Sequence, residues 1–135
     1  MRFYVLRGHE VVATDSMVDA ATLMGDAESR TVAKTHLSSN ISKEECEVST
    51  VFLSIDHNWT DQGPPVVFET LVFGGPMDDW MRRYTTWDEA ALGHAETVEL
   101  VRRALRGEKP DETEEMVLKY ERRTWHDHVL NDEDV

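Results

Sequence analysis

Cysteine is almost absent from this 135-residue chain, which holds Cys46 alone. That excludes an intramolecular disulfide framework and any cysteine-rich zinc site. No apolar run approaches the roughly 18 residues that a membrane-spanning helix needs, so no membrane partner is expected. The opening Met1-Arg2-Phe3-Tyr4-Val5-Leu6-Arg7 meets charge too soon for a secretory signal, and a cytoplasmic location is expected. Basic side chains are scarce as well: 14 against 27 acidic ones leave a net charge of −13. Such a field repels phosphate backbones, so direct nucleic-acid binding is not expected. The same charge admits the opposite idea, an acidic mimic of nucleic acid that occupies a basic protein; the plain alternative is a solubilising surface. Catalytic signatures are missing too. Gly74-Gly75-Pro76 ends an apolar run without opening a helix, so it is neither a Walker nor a dinucleotide loop. There is no G-x-S-x-G elbow, and no cofactor is implied.

What remains is enough for one core, since 40% of the residues are hydrophobic. Residues 3–7 and 10–14 are rich in β-formers and flank Gly8-His9, which predicts a hairpin. Asp15 or Ser16 caps a short helix with Met17, Ala20, Ala21 and Met24 at helical spacing. Residues 31–36 alternate as a third strand. Residues 48–56 and 66–73 form the best-defined hairpin, joined by the loop 57–65. Matching apolar sets across it places Glu69 on the face of Thr50 and Ser54, because a slip of one residue moves every side chain to the other face. That face keeps Phe52, Val67, Leu71 and Phe73 and is too apolar to be left in water; another helix or a second subunit would cover it.

Thr86-Trp87-Asp88-Glu89 is a capping box that opens a helix running to Arg106. Trp87, Ala91, His94, Val98, Val101 and Leu105 form its inward stripe, and Gly107 stops it. The sequence thus predicts an α+β fold, a mainly antiparallel sheet of about five strands packed on a long helix. The core domain is residues 1–107, followed by an acidic C-terminal helical extension over 108–135. That extension carries ten acidic side chains against four basic ones.

Four groups of residues could carry chemistry. Asp56-His57-Asn58-Trp59 stands at a strand end beside the long loop, where a rigid scaffold presents ligand contacts, although Asp and Asn also serve as turn formers. His94 lies on the apolar helix stripe beside Gly93, which permits close approach. With His57 and Glu69 it would offer a two-histidine, one-carboxylate metal site for a small hydrolase if the helix packed on the glutamate face; the plainer reading is a hydrogen-bonded core histidine. Arg82, Arg83 and Tyr84 form a basic cluster beside Trp80 and the start of the capped helix, able to hold a phosphate or nucleotide, or else to pair with Asp78, Asp79 or Asp88. His126-Asp127-His128 resembles a ligand cluster by composition only, since residues two apart on a helix point different ways.

The run from Val48 through Asp56-His57-Asn58-Trp59, then Gly63-Pro64-Pro65-Val66-Val67-Phe68-Glu69-Thr70-Leu71-Val72-Phe73-Gly74-Gly75, then Arg83-Tyr84-Thr85-Thr86-Trp87 to Gly93-His94, resembles a family of small bacteriophage and prophage proteins. The opening Tyr4 to Val12 resembles that family's first hairpin. Ser54 stands where the family usually has glycine, and the helix near Met17–Met24 lacks its tryptophans. The resemblance implies a phage setting in a bacterial host cell and brings no activity with it. The expectation is therefore a non-enzymatic accessory protein acting by binding, as a homo-oligomer, against a host protein or a nucleotide signal used in host defence.

Overall fold

The computed structural model describes residues 2–60 and 62–108. The expected acidic helical extension beyond Glu108, with the His126-Asp127-His128 cluster, lies outside them. The elements are β1 (Phe3–Arg7), β2 (Glu10–Thr14), α1 (Met17–Gly25), α2 (Ala27–Arg30), β3 (Thr31–Ser38), β4 (Glu45–Phe52), β5 (Phe68–Phe73), β6 (Met81–Tyr84) and α3 (Trp87–Leu105). The α+β class is as expected, but one sheet of about five strands is not. Among the described residues six strands form two sheets, the hairpin β1-β2 and an antiparallel meander in the order β3-β4-β5-β6. No helix among the described residues is long and apolar enough to cross a membrane.

Two local causes explain the difference. Met81-Arg82-Arg83-Tyr84 is too short and too charged to read as a strand, yet it pairs with β5 because the turn between them is tightly tied. There the Asp78 carboxylate accepts from the Gly74 amide at 2.6 Å, the Val72 amide donates to the Trp80 carbonyl, and the Val72 carbonyl accepts from the Asp79 amide. The second cause is Ser54, which adopts a left-handed φ of 63° and so ends β4 at Phe52. Beyond it the chain changes partners: the Ser54 carbonyl accepts from the Tyr4 amide at 2.8 Å, and Ile55 bridges Phe3. One kinked residue thereby joins the two sheets.

Ser54 is strained and unsatisfied at once. It is buried, and its hydroxyl has no hydrogen-bond partner. Left-handed backbone disfavours any Cβ by about 1–2 kcal/mol, and a buried unpaired hydroxyl costs a further 1–3 kcal/mol or so. Ser54→Gly removes both against the added chain entropy of glycine. Thermal and denaturant unfolding should show a gain of about 1 kcal/mol or more. Unchanged or lowered stability would rule this account out.

The register of β4 and β5 also departs from expectation. Thr50 pairs with Thr70 and Phe52 with Phe68, while Glu69 pairs with Val51 and Leu71 with Ser49. Glu69 therefore lies on the face opposite Thr50. Matching apolar sets misplaced it because the buried face contains polar pairs that satisfy one another. On that inner face, Val48, Thr50, Phe52, Phe68, Thr70 and Val72 are all completely buried.

The helix α3 lies across this inner face, capped by the Thr86 hydroxyl, which accepts from the Glu89 amide at 3.1 Å. The Glu89 carboxylate reaches back to Thr85 rather than to the cap residue. Its buried positions are Ala90, Gly93, His94, Thr97, Val98 and Val101. Ala91, expected on the stripe, points to solvent, and Ala90 takes its place. Phe52 and Phe68, with ring centroids 5.3 Å apart, anchor one end of the core together with Tyr4, Val67 and Tyr84. Val48, Val72, Val98, Val101 and Cys46 form the other end. A stacked pair, His9 on Trp87 at 3.8 Å, ties the tip of the first hairpin to the start of α3.

Candidate functional site

The residues singled out in the sequence divide between the two faces of the four-stranded sheet. On the inner face, His94 projects from α3 into a row of hydroxyls contributed by all four strands. Its Nε2 lies 2.8 Å from the Thr35 hydroxyl on β3, and its Nδ1 lies 2.7 Å from Thr50 on β4. Thr50 continues to Thr70 on β5 at 2.6 Å, and Thr70 to the Tyr84 phenol on β6 at 3.0 Å. The phenol meets Thr97 of α3, whose hydroxyl donates to the Gly93 carbonyl at 2.7 Å.

Donor accounting gives this chain a direction. The Thr97 proton is spent on a carbonyl, so Thr97 accepts from Tyr84; Tyr84 then accepts from Thr70, and Thr70 from Thr50. Thr50 in turn accepts from a protonated Nδ1, and Nε2 accepts from Thr35. His94 is thereby a neutral imidazole with one donor and one acceptor. Burial alone holds it below the ordinary histidine range, and burial pushes the Tyr84 phenol up. Every member of the row has a partner, which makes it a structural brace between α3 and the sheet. The threonines of this row escaped sequence reasoning, because alternating threonine in a strand reads equally well as a solvent face.

Gly93 permits the close approach that the sequence suggested, and the group that approaches is Tyr84. A Cβ added at Gly93 would overlap the Tyr84 ring. Tyr84 is therefore a core residue rather than a ligand contact. Arg82 lies over its ring, 5.2 Å from the centroid, and pairs with Glu96 of α3 at 3.0 Å.

Arg83, one residue on, turns to the outer face. Its Nε donates to the Glu69 carboxylate at 2.9 Å, and the two side chains are only 14% and 15% exposed. The two arginines thus diverge across the sheet and do not converge on one anion, as a phosphate cradle would require. His57 lies close enough for both members of the Glu69–Arg83 pair to act on it. Burial first, then Arg83, hold it below the ordinary histidine range, against the opposing pull of Glu69 and Asp56. Trp59 meets the His57 ring edge-on at 6.4 Å and is 56% exposed.

Asp56 and Asn58 are consumed by the loop itself. The Asp56 carboxylate accepts from the amides of Asn58 and Val66. The Asn58 side chain donates to the carbonyls of Gln62 and Pro64 and accepts from Thr60. These bonds fix the loop that carries His57 and Trp59, so Asp56 and Asn58 position the site without lining it.

The metal triad does not assemble, because Glu69 and His94 lie on opposite faces of the sheet. The helix packs on the threonine face and not on the glutamate face, and among the described residues no three His, Cys, Asp or Glu side chains gather to hold an ion. The segment that would carry nucleic-acid mimicry lies outside the described residues. The outer face combines the Glu69–Arg83 pair with Val51, Leu71, Met81 and Phe73, the last 47% exposed, and His57 stands near that pair with Trp59 against it. While α3 covers the inner face, α1 packs on β1 and β2. No protein-family model, curated protein or solved structure matches the chain.

Proposed function

We propose that the protein is a non-enzymatic accessory protein of a phage or prophage that acts by binding another protein through the outer face of β4-β5-β6 and the adjoining loop. One observation carries the reading. Exposed Phe73 shares a sheet face with a largely desolvated Arg83–Glu69 pair, beside which stand His57 and exposed Trp59, and among the described residues neither α1 nor α3 covers that face. Tryptophan and arginine are the residues that most often dominate binding energy when a partner excludes water around them. A rigid sheet with a hydrogen-bonded loop also loses little freedom on binding. Blocking a protein surface fits this site better than sequestering a nucleotide, because Arg82 and Arg83 face opposite ways.

Photo-reactive residues placed at positions 59 and 73 of the full chain, expressed in a bacterial host, test the reading. Discrete adducts should form from both positions, and none from position 92 on the solvent side of α3. Equal labelling from all three would show that the face is not special.

A further inference from the structure

The chain guards most of its strand edges and leaves one open. β6 is four residues long and carries Arg82 and Arg83, so that edge is short and charged. β1 is covered on its far side, where the Tyr4 amide donates to the Ser54 carbonyl and Ile55 bridges Phe3. β3 spans eight residues, and among the described residues its one strand partner is β4. The Ser39 amide donates to the Glu44 carbonyl. Alternation from that bond turns the backbone of Ala33, Thr35 and Leu37 towards β4, and that of Lys34, His36 and Ser38 away from it. The amides and carbonyls of these last residues stand in a row with no hydrogen-bond partner among the described residues. A bulge lies before Ala33 and leaves the row itself regular. Lys34 does not guard the edge, since Glu47 draws it back over β4 at 3.2 Å.

We infer that the β3 edge takes up an extended segment of another protein as a further strand, one with apolar side chains at every second position. Only an extended backbone offers carbonyls and amides at the spacing of this row. The side chains around the edge select the rest. On α3, Gly93 and Glu96 face β6 through Tyr84 and Arg82. Helical spacing then puts Ala91 and Ala95 on the opposite flank, towards β3, and both are exposed. Beneath them Thr35 and Leu37 are only half-buried, whereas Val48, Thr50 and Val72 further into the sheet are fully buried. An incoming side chain on this side meets the two alanine methyls and Leu37, so a bulky apolar residue completes the inner layer. An incoming side chain on the other side stands beside Lys34, His36 and Ser38, with Glu45 and Glu47 one strand further in, and stays polar. This edge is separate from the outer face of β4-β5-β6, and neither reading depends on the other.

Hydrogen exchange of the full chain, read amide by amide, tests the inference. The probes are synthetic peptides of about eight residues that alternate valine, isoleucine, leucine or phenylalanine with polar residues. Binding should slow exchange at Lys34, His36 and Ser38 about tenfold or more, and leave Ala33, Thr35 and Leu37, already in the ladder, unchanged. N-methylation of the peptide at the residues facing β3 should abolish the slowing. His36→Pro should weaken it as well, because it removes an outward amide and no ladder bond.

Slowing confined to the outward amides, and lost on N-methylation, supports the inference. If no peptide in the set slows them, or if slowing survives N-methylation, it is overturned. Outward amides already slow in the protein alone overturn it too. Protection independent of protein concentration would assign the edge to a segment of the same chain beyond Glu108, and protection that rises with concentration would assign it to a second copy. These measurements on the unaltered chain need no variant to fold.

Discussion

Gly93→Ala should destabilise the protein by about 3 kcal/mol, an effect opposite in sign to what its place in a helix predicts. Alanine in a helix interior is ordinarily favoured over glycine by roughly 1 kcal/mol. Here the added methyl would enter the Tyr84 ring, and relief requires the ring or α3 to move. Tyr84 has little freedom to do so. It is held at its hydroxyl by Thr70 and covered by Arg82, and overpacking in such a core costs about 1–3 kcal/mol, occasionally more.

The decisive experiment is a double-mutant cycle by denaturant unfolding. Tyr84→Ala alone should cost roughly 3–5 kcal/mol, as large aromatic truncations do. In that background the clash is gone, so Gly93→Ala should become neutral or stabilising by up to about 1 kcal/mol. If Gly93→Ala costs the same with and without the tyrosine ring, close approach to Tyr84 is not why glycine stands there.

The cycle also marks where the sequence was informative. Gly93 beside His94 on an apolar stripe signalled close approach, and the capping box at Thr86 located the start of α3, because both signals are local. The first hairpin, α1 and β3 were legible for the same reason. What failed was decided by contacts distant in sequence. The pairing of Thr50 with Thr70 joins residues twenty apart and depends on His94 a further twenty-four along, so no pattern within β4 or β5 reveals that threonine faces inward. Once that register is fixed, Glu69 moves to the outer face and the proposed metal triad falls apart. Arg82 and Arg83 looked like one cluster because they are adjacent, yet alternation along β6 sends them to opposite sides. Of the apolar surplus visible in the sequence, Phe52 and Val67 go into the core, while Leu71 and Phe73 lie on the outer face.

The second large effect concerns the row of hydroxyls around His94. Thr50→Val keeps the shape of the side chain and removes its oxygen, leaving His94 Nδ1 and Thr70 each short of a partner. A buried group left unpaired costs about 1–3 kcal/mol, so this single change should cost at least 2 kcal/mol. Replacing the whole row with apolar residues, as Thr50→Val, Thr70→Val, Tyr84→Phe and His94→Leu together, leaves almost nothing unpaired. It should recover part of the loss rather than add to it. Strictly additive losses would mean that the hydroxyls act independently and that no continuous chain exists. Acid should expose the same weakness. His94 and His57 both titrate below the ordinary histidine range in the folded protein, so the unfolded chain binds more protons as pH falls. Stability is therefore fully present above an unfolded value of about 6.5 and declines as pH drops through it towards the folded values. Denaturant unfolding between about pH 7.5 and 5 should show that decline, reduced in His94→Gln and further reduced when His57→Gln is added. The charge on His94 would arise between α3 and the sheet with only hydroxyls to receive it. The share lost in His94→Gln thus measures how firmly the neutral imidazole holds the helix in place.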